Sequence, residues 1–268
     1  MTARVENSKP ERVRLAALMQ FARKNGLQIG IIGVMLGIWL LFIIGASDTF
    51  LKPDIYRALM TSVPYWGVIA LPLTMVIIAG DIDLSFISIM AVGMVVFWEA
   101  YETTSSLGVA FAASLVSGFL VGLLNGIIVV RLGIPALIAT IGTQFFWRGV
   151  VEVIRRGQGE SLTLARDTVL RDVLVSKVGG YVPAQVIWMV LVALAVWFLL
   201  NRHKLGAHTY LIGDNEASAR LMGVNVGRTR MLLFALVGVA AAFGGIIQSL
   251  DVWYFWPNLG EGYLMTTL

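Results

Sequence analysis

Apolar residues are arranged along this chain in long runs without charge, separated by short polar segments. A helix that crosses a membrane needs about 20 mostly apolar residues, and an open strand would leave its backbone groups unpaired in lipid. The pattern therefore predicts an all-α bundle of about seven membrane-spanning helices. The predicted spans are residues 25–47, 58–80, 84–98 continued to about 101, 103–130, 132–147 extended toward 154, a part of 178–201, and 231–250.

The composition agrees with a membrane protein, because 58% of the residues are hydrophobic and only 13% are charged. Soluble domains usually carry about a quarter charged residues. The chain has no cysteine, which excludes a disulfide scaffold and a cysteine-ligated metal site. Its two histidines, His203 and His208, do not lie in a cluster with carboxylates. We therefore expect no metal and no cofactor.

The distribution of Lys and Arg predicts the orientation, because cytoplasmic loops are enriched in these residues. With the N-terminus inside, the inner segments hold six at residues 1–24, one at Arg131 and five in 201–230, whereas the outer segments hold seven. We predict a cytoplasmic N-terminal segment 1–24, a membrane domain 25–268, an outward-facing segment 155–181 and a cytoplasmic loop 201–230. The first apolar run exceeds the length of a signal-peptide core, which favours an uncleaved span over a secretory signal.

The segment 80–85, with the sequence Gly-Asp-Ile-Asp-Leu-Ser, places two carboxylates between two apolar runs. One interpretation makes Asp83 the N-cap of the third span, with its carboxylate accepting a backbone N–H, and leaves Asp81 in solvent. The other interpretation makes Asp81, Asp83 and Ser85 part of a translocation path or an ion site, since carboxylates at membrane depth are costly. The capping interpretation is favoured.

Asn125 lies within the fourth span, among apolar residues. Its amide is expected to form a hydrogen bond to a neighbouring helix, although a place on the translocation path is the alternative. Gly118, Gly122 and Gly126 recur every four residues and so share one face of the same helix. This face predicts close packing against another helix.

The loop 201–230 contains a segment, 213–224, with the signals of a short helix. Asp214 or Asn215 is the predicted N-cap and Gly223 the predicted end. Glu216 and Arg220 form a predicted i,i+4 ion pair. The predicted apolar face consists of Ala217, Leu221 and Met222. Such a helix suits docking into a groove on a partner, or alternatively lying on the membrane surface.

Sequence motifs of enzymes are absent. No Gly-x-x-x-x-Gly-Lys-Ser/Thr sequence occurs, so a P-loop for nucleotide is excluded, and no His-Glu-x-x-His sequence occurs. We therefore expect that this chain is not an enzyme.

Several motifs, in order from about residue 50 to the end, resemble those of the ribose/xylose-type sugar permeases of ATP-binding cassette (ABC) transporters. This family lies within the permeases of branched-chain amino acid and monosaccharide importers. The matching stretches are 80–85, Leu124-Asn125-Gly126, Arg131-Leu132-Gly133-Ile134-Pro135, Thr140-Ile141-Gly142-Thr143, the loop residues 205–226, and Pro257-Asn258 with Gly260-Glu261-Gly262-Tyr263.

The resemblance implies the membrane subunit of a bacterial importer in the inner membrane. It also implies a second permease subunit, cytoplasmic ATPase subunits, and a periplasmic binding protein that delivers a monosaccharide. ATP hydrolysis would take place on the separate ATPase chains. The segment 213–224 is similar to the family's coupling segment. The residues expected to couple to the ATPase are Gly213, Asn215, Glu216, Ala217, Arg220, Leu221 and Gly223.

The chain departs from the family pattern in two places. Asp81 stands where the family has a second glycine, and the family continues beyond the point that Leu268 reaches, so we expect an incomplete permease. Two alternatives remain open: an ion-coupled secondary transporter with Asp81 and Asp83 as ion ligands, and a membrane scaffold without transport activity. Only the importer needs an ATPase-docking helix in loop 201–230.

Overall fold

The computed structural model describes residues 20, 23–163 and 168–258. Most of the predicted N-terminal segment 1–24 and the stretch 260–263 lie outside the described residues. The chain divides into two compact units, residues 1–57 and 58–268.

In the described residues of the first unit, an apolar helix α1 is followed by one short helix. Helix α1 covers Gly26–Gly45 and α2 covers Ser47–Phe50, and none of the residues of α1 is buried. The rings of Phe42 and Phe50 stack with their centroids 5.0 Å apart. This unit ends within the first turns of the next helix, α3.

The second unit is built mainly from long helices. In chain order the helices are α3 (Pro53–Ile78), α4 (Phe86–Thr104), α5 (Leu107–Leu132), α6 (Ala136–Arg155), α7 (Val169–Val175), α8 (Ala184–Arg202), α9 (Lys204–Asp214), α10 (Glu216–Leu221) and α11 (Val226–Val252). Four two-residue strands accompany them: β1 (Glu160–Ser161), β2 (Lys177–Val178), β3 (Val182–Pro183) and β4 (Tyr254–Phe255). Strand β1 pairs antiparallel with β4, and β2 pairs antiparallel with β3.

The seven predicted spans are confirmed, since seven helices among the described residues are long and apolar enough to cross a membrane. They are α1, α3, α4, α5, α6, α8 and α11. Helix α11 begins at Val226, five residues before the predicted span 231–250. The predicted span included only the run without charged residues. In the structure the helix begins earlier, because the Asn225 side chain caps it by accepting the Arg228 N–H at 3.0 Å. The first turn therefore includes charged residues.

The core of the second unit is formed by α4, α5 and α11, which pack against one another. The glycine face of α5 predicted from the sequence lies on α11. A Cβ at Gly118 would overlap the carbonyl oxygen of Gly238, and a Cβ at Gly122 would overlap that of Phe234. A Cβ at Gly126 would lie 2.7 Å from the Met231 Cα. Small residues thus let the two backbones approach closely, as in other membrane helix pairs.

Candidate functional site

The turn 80–85 connects α3 to α4 and is the centre of a buried polar region. Gly80 has a φ of +86°, a left-handed conformation that glycine adopts without a Cβ clash. The residue at the N-cap of α4 is Ser85, so the prediction of Asp83 as the N-cap is wrong by two positions. The Asp83 carboxylate does accept a backbone N–H, from Ser85 at 2.8 Å, and it also accepts the Ser85 hydroxyl at 2.6 Å. Asp83 therefore stabilises the turn that precedes the helix.

Residues of two neighbouring helices form hydrogen bonds with this turn. Asn125 of α5 donates its Nδ2 to the Ser85 Oγ at 2.6 Å, which is the hydrogen bond to a neighbouring helix that the sequence predicted. The Leu84 N–H donates to the Thr140 Oγ1 of α6 at 3.2 Å. Ser85, Asn125 and Thr140 are fully buried. The turn is therefore attached to α4, α5 and α6 at once.

Asp83 has no exposed surface, and this changes its acidity. Loss of hydration disfavours the carboxylate and raises the pKa of Asp83 to about 6, although the two hydrogen bonds from Ser85 act in the opposite direction. Among the described residues, neither the Asp83 Oδ2 nor the Asn125 Oδ1 has a hydrogen-bond partner. The Asp83 carboxyl group therefore takes up a proton as the pH falls through about 6.

Asp81 is not in solvent, contrary to the capping interpretation, because its exposed fraction is 5%. It forms a bidentate ion pair with Arg230 of α11. The Arg230 Nε lies 2.6 Å from the Asp81 Oδ2, and the Arg230 Nη2 lies 2.5 Å from the Asp81 Oδ1. The partners are 149 residues apart, and no Lys or Arg lies near Asp81 in the sequence. The sequence pattern therefore had no signal for this pair.

The predicted helix 213–224 is divided between two helices, so the prediction of one helix is wrong. Gly213 belongs to the end of α9, and the chain turns at Asn215 before α10. The Asn215 Oδ1 accepts the Ser218 N–H at 2.8 Å, which confirms one of the two predicted caps. Gly223 follows α10 with a φ of +83°, as its predicted role at the helix end requires.

Charged residues connect α10 to the turn 80–85. Glu216 forms the predicted ion pair with Arg220. Its other carboxylate oxygen lies 3.4 Å from the Arg230 Nη1. Arg230 therefore contacts Asp81 in the turn and Glu216 in α10 at the same time. Glu216 was among the residues predicted from the sequence, whereas Arg230 was not, because it lies just outside the apolar run of the predicted span 231–250.

The apolar face of α10 differs from the predicted one. Ala219, which was not predicted, is the residue packed against the protein, with no exposed surface. Ala217 is exposed, and the exposed fractions of Leu221 and Met222 are 91% and 59%. Leu221 and the following Met222 thus present large apolar side chains away from the described part of the chain, while α10 is held by the buried Ala219 and by the contact of Glu216 with Arg230.

A cavity of about 500 Å³ lies beside this region. Its walls include the turn at Asp81, the α5–α6 corner at Gly133 and Pro135, and the side chains of Arg220 and Arg230. The described residues contain no group of three or more His, Asp and Glu that could hold a metal ion. The cavity walls therefore combine the Asp81 carboxylate with the guanidinium groups of Arg220 and Arg230.

A second polar cluster lies toward the other end of α11. The Asp251 carboxylate accepts the Tyr65 hydroxyl at 3.0 Å and the Gln185 amide at 3.0 Å. The cluster therefore joins α3, α8 and α11. This cluster was not predicted from the sequence, because each of its residues lies alone within or beside an apolar run.

Comparisons with known proteins agree on one family. A family model described as the permease component of a branched-chain amino acid transport system matches residues 55–268. The chain is 32% identical over 198 residues to the ribose import permease protein RbsC of Escherichia coli (strain K12), covering 74% of this chain and 61% of RbsC. It is also 32% identical over 208 residues to the autoinducer 2 import system permease protein LsrD of Yersinia enterocolitica, covering 75% of this chain and 62% of LsrD.

The LsrD protein of Yersinia pestis (strain Pestoides F) is 29% identical over 208 residues, covering 75% of this chain and 61% of that protein. The chain thus spans about 61% of the length of the curated relatives that it matches. No solved structure matches it.

Proposed function

The chain belongs to the family of permease components of branched-chain amino acid transport systems, and on that premise we propose that it is the membrane subunit of an ABC importer in the bacterial inner membrane. The proposed cargo is a monosaccharide of the ribose or xylose type. The ribose import permease among the relatives supports this cargo, and the autoinducer 2 import permease supports the wider assignment to an importer permease. The proposed partners are two cytoplasmic ATPase subunits, a periplasmic binding protein and a second permease subunit. ATP hydrolysis belongs to the ATPase.

The observation that carries the proposed mechanism is the form of α10. The helix is capped, anchored through Ala219, and exposes Leu221 almost completely. An exposed apolar side chain on a short rigid helix suits insertion into a groove on a partner. We assign the docking surface for the ATPase to Ala217, Leu221 and Met222. The other expected coupling residues lie in α10 or beside it: Gly213 at the end of α9, Asn215 at the cap, Glu216 and Arg220 in the helix, and Gly223 after it.

Closure of the ATPase subunits on ATP would displace α10, and the bundle would respond by moving between inward-facing and outward-facing states. Arg230 connects the turn 80–85 to α10, because it contacts Asp81 in the turn and Glu216 in the helix. Ser85 and Asn125 remain candidates for the translocation path, since both are polar and buried between spans. Their hydrogen bond equally stabilises the packing of α4 on α5.

The geometry argues against the ion-coupled alternative. That mechanism uses Asp81 and Asp83 as cation ligands. Both oxygens of Asp81 are instead occupied by the Arg230 guanidinium, which brings its own positive charge to the place that a cation would take. One of the two proposed ligands is therefore neutralised within the chain.

The docking assignment is tested by placing a charge on α10. Leu221→Asp should leave folding intact, because the side chain is exposed in the chain, but should bury an unpaired carboxylate in the complex. Breaking complementarity with a buried unpaired charge costs about 3–5 kcal/mol, which corresponds to at least about a hundredfold weaker binding. The measurement is co-purification of the ATPase with the tagged permease, together with ATP hydrolysis by the complex.

Val169→Asp is the matched control, since Val169 is 79% exposed at the start of α7, in the segment proposed to face outward. It should retain the ATPase at the wild-type level. Arg220→Ala should also have little effect, because an exposed i,i+4 ion pair contributes only about 0.3–0.5 kcal/mol. Retention of the ATPase by Leu221→Asp would show that α10 is not the docking element.

The proposed orientation, with Met1 and loop 201–230 in the cytoplasm, rests on the Lys and Arg count. The chain has no native cysteine, so single cysteines report their own side of the membrane without background. Tyr181→Cys should react with an impermeant maleimide added to intact cells whose outer membrane is permeable. Asp214→Cys should react only after lysis. Labelling of both from one side would contradict this topology.

A further inference from the structure

Asp81 and Arg230 form an ion pair that is largely buried in the protein. The Asp81 side chain is 5% exposed and the Arg230 side chain is 21% exposed, and the two groups meet through two parallel contacts. A paired arginine and carboxylate in this geometry has a defined orientation as well as a favourable energy. The pair joins the start of α11 to the turn between α3 and α4.

A second contact joins the same two parts of the chain independently. Gly213, at the end of α9, lies so close to the end of α3 that a Cβ would overlap the carbonyl oxygen of Ile78. Ile78 precedes the turn 80–85 by two residues. The corner between α9 and α10 is therefore held against the turn by backbone contact on one side and by Glu216, Arg230 and Asp81 on the other.

The turn is attached in its other direction to the interior of the bundle. Ser85 accepts a hydrogen bond from Asn125 of α5, and Leu84 donates one to Thr140 of α6. A displacement of α10 that is passed to Asp81 would thus reach α5 and α6 through contacts that are already formed. Networks of packed and hydrogen-bonded groups of this kind can carry energetic coupling between distant parts of a protein.

We propose that Asp81 and Arg230 are positioning residues that connect the docking helix α10 to the turn 80–85, so that movement of α10 is transmitted to α5 and α6. This inference rests on the proposed function of α10. Stability alone is a poor explanation of the pair, because buried ion pairs are often no more stabilising than neutral groups of similar volume. The bidentate pair instead fixes the orientation of the start of α11 relative to the turn.

The test separates docking from transmission. The double variant Asp81→Asn, Arg230→Gln removes both charges together, so that neither is left buried alone. Its matched control is Asp54→Asn, Arg57→Gln, which removes an exposed ion pair in α3. Each is made in the complete permease complex with its ATPase, and thermal unfolding checks that it is folded.

Spin labels on cysteines at Leu137 of α6 and Tyr181 report rearrangement of the bundle, since both side chains are exposed and no native cysteine interferes. The distance between the labels is measured in the complex with and without ATP and vanadate. We expect the wild type and the control to show a nucleotide-dependent shift. The Asp81→Asn, Arg230→Gln variant should retain the ATPase but lose the shift.

A shift of wild-type size in this double variant would overturn the proposal, and so would loss of the ATPase from it, since the pair would then maintain the docking surface itself. The single variant Asp81→Asn serves as a second probe. It should also lose the shift, because Arg230 then retains only its longer contact to Glu216. Failure of the docking proposal has a different signature, which is retention of the ATPase by Leu221→Asp.

Discussion

Helices α8 and α11 are both apolar enough to cross a membrane, yet α11 is mostly buried and α8 is mostly exposed. Eighteen of the 27 residues of α11 are buried, against three of the 19 residues of α8. Helix α11 is rich in Gly and Ala where it meets α5 and α4, whereas α8 carries Trp, Leu and Phe on exposed positions. Lipid is as apolar as a leucine side chain, so hydrophobicity does not select the centre of a membrane bundle. Small residues do, because they allow backbones to approach.

The largest expected effect is the loss of a large side chain from the core. Phe234 of α11 has no exposed surface, whereas Phe198 of α8 is 53% exposed. Phe234→Ala should reduce the free energy of unfolding by about 3–5 kcal/mol, because it leaves a cavity among packed helices. Phe198→Ala should be close to neutral. Thermal unfolding in detergent measures both. Equal effects would remove the distinction between the two helices.

The next effect concerns the glycine contact between α5 and α11. A Cβ at Gly238 would overlap the carbonyl oxygen of Gly118, and backbone cannot move aside as a flexible side chain does. Gly238→Ala should destabilise the protein by about 1–3 kcal/mol through overpacking. Gly142→Ala in α6 is the matched control, since a Cβ there meets nothing within 4 Å. That control should be neutral or stabilising by up to about 1 kcal/mol from helix propensity. Similar melting temperatures for the two variants would contradict the packing argument.

A pH dependence is expected from Asp83, at the N-terminal side of the packed helix α4. Its pKa of about 6 in the folded protein lies above its ordinary value of 3.8, so the folded state holds a proton that the unfolded state has released. Stability should therefore fall as pH rises from about 4 to about 6 and level off above that range, by an amount on the order of 2–3 kcal/mol.

Asp83→Asn should abolish this slope, because the amide has no proton to release and still accepts the hydrogen bonds from Ser85. Asp54→Asn should preserve the slope, since Asp54 is exposed at the start of α3. Melting temperatures at pH 4.5 and pH 7 compare the three proteins. An unchanged slope in Asp83→Asn would assign the dependence to other groups.

The smallest effect is expected where α8 does contact α11. Gln185 is one of the few buried residues of α8, and it donates a hydrogen bond to Asp251. Gln185→Ala should cost about 0.6 kcal/mol and at most about 1.7 kcal/mol, the average and the maximum for hydrogen bonds between membrane helices. Asn201→Ala, which removes an exposed hydrogen bond within α8, should cost less. Equal losses would show that α8 is not held at this point.

Much of the local structure was predictable. The cap at Asn215 and the end of α10 at Gly223 depend on side chains and backbone angles within a few residues, so the pattern of polar residues and glycine predicted both correctly. The capping of α4 was predicted less well, because Asp83 bonds to Ser85 without occupying the cap position itself. The Asp83 carboxylate accepts the N–H of Ser85, and the helix begins one residue later at Phe86, so the hydrogen bond forms just before the helix and not within its first turn.

The face of α10 shows where prediction failed. Ala217, Leu221 and Met222 share helical spacing and formed the expected apolar face, but Ala219 is the residue that packs. Helical periodicity gives the faces of a helix and not which face meets the protein. In a helix of six residues a single small side chain can fill the contact. The assignment of Leu221 to the ATPase remains a proposal, now based on its exposure.

The sequence by itself determined that this is a multi-pass helical membrane protein, because an apolar run in lipid can satisfy its backbone hydrogen bonds only within a helix. It also determined which helix face carries small residues, since Gly118, Gly122 and Gly126 follow helical spacing. Only the tertiary structure decided that Asp81 meets Arg230 and that Gly213 meets Ile78. Such contacts join residues that are far apart in the chain, and they follow from how the helices pack, which hydropathy does not encode.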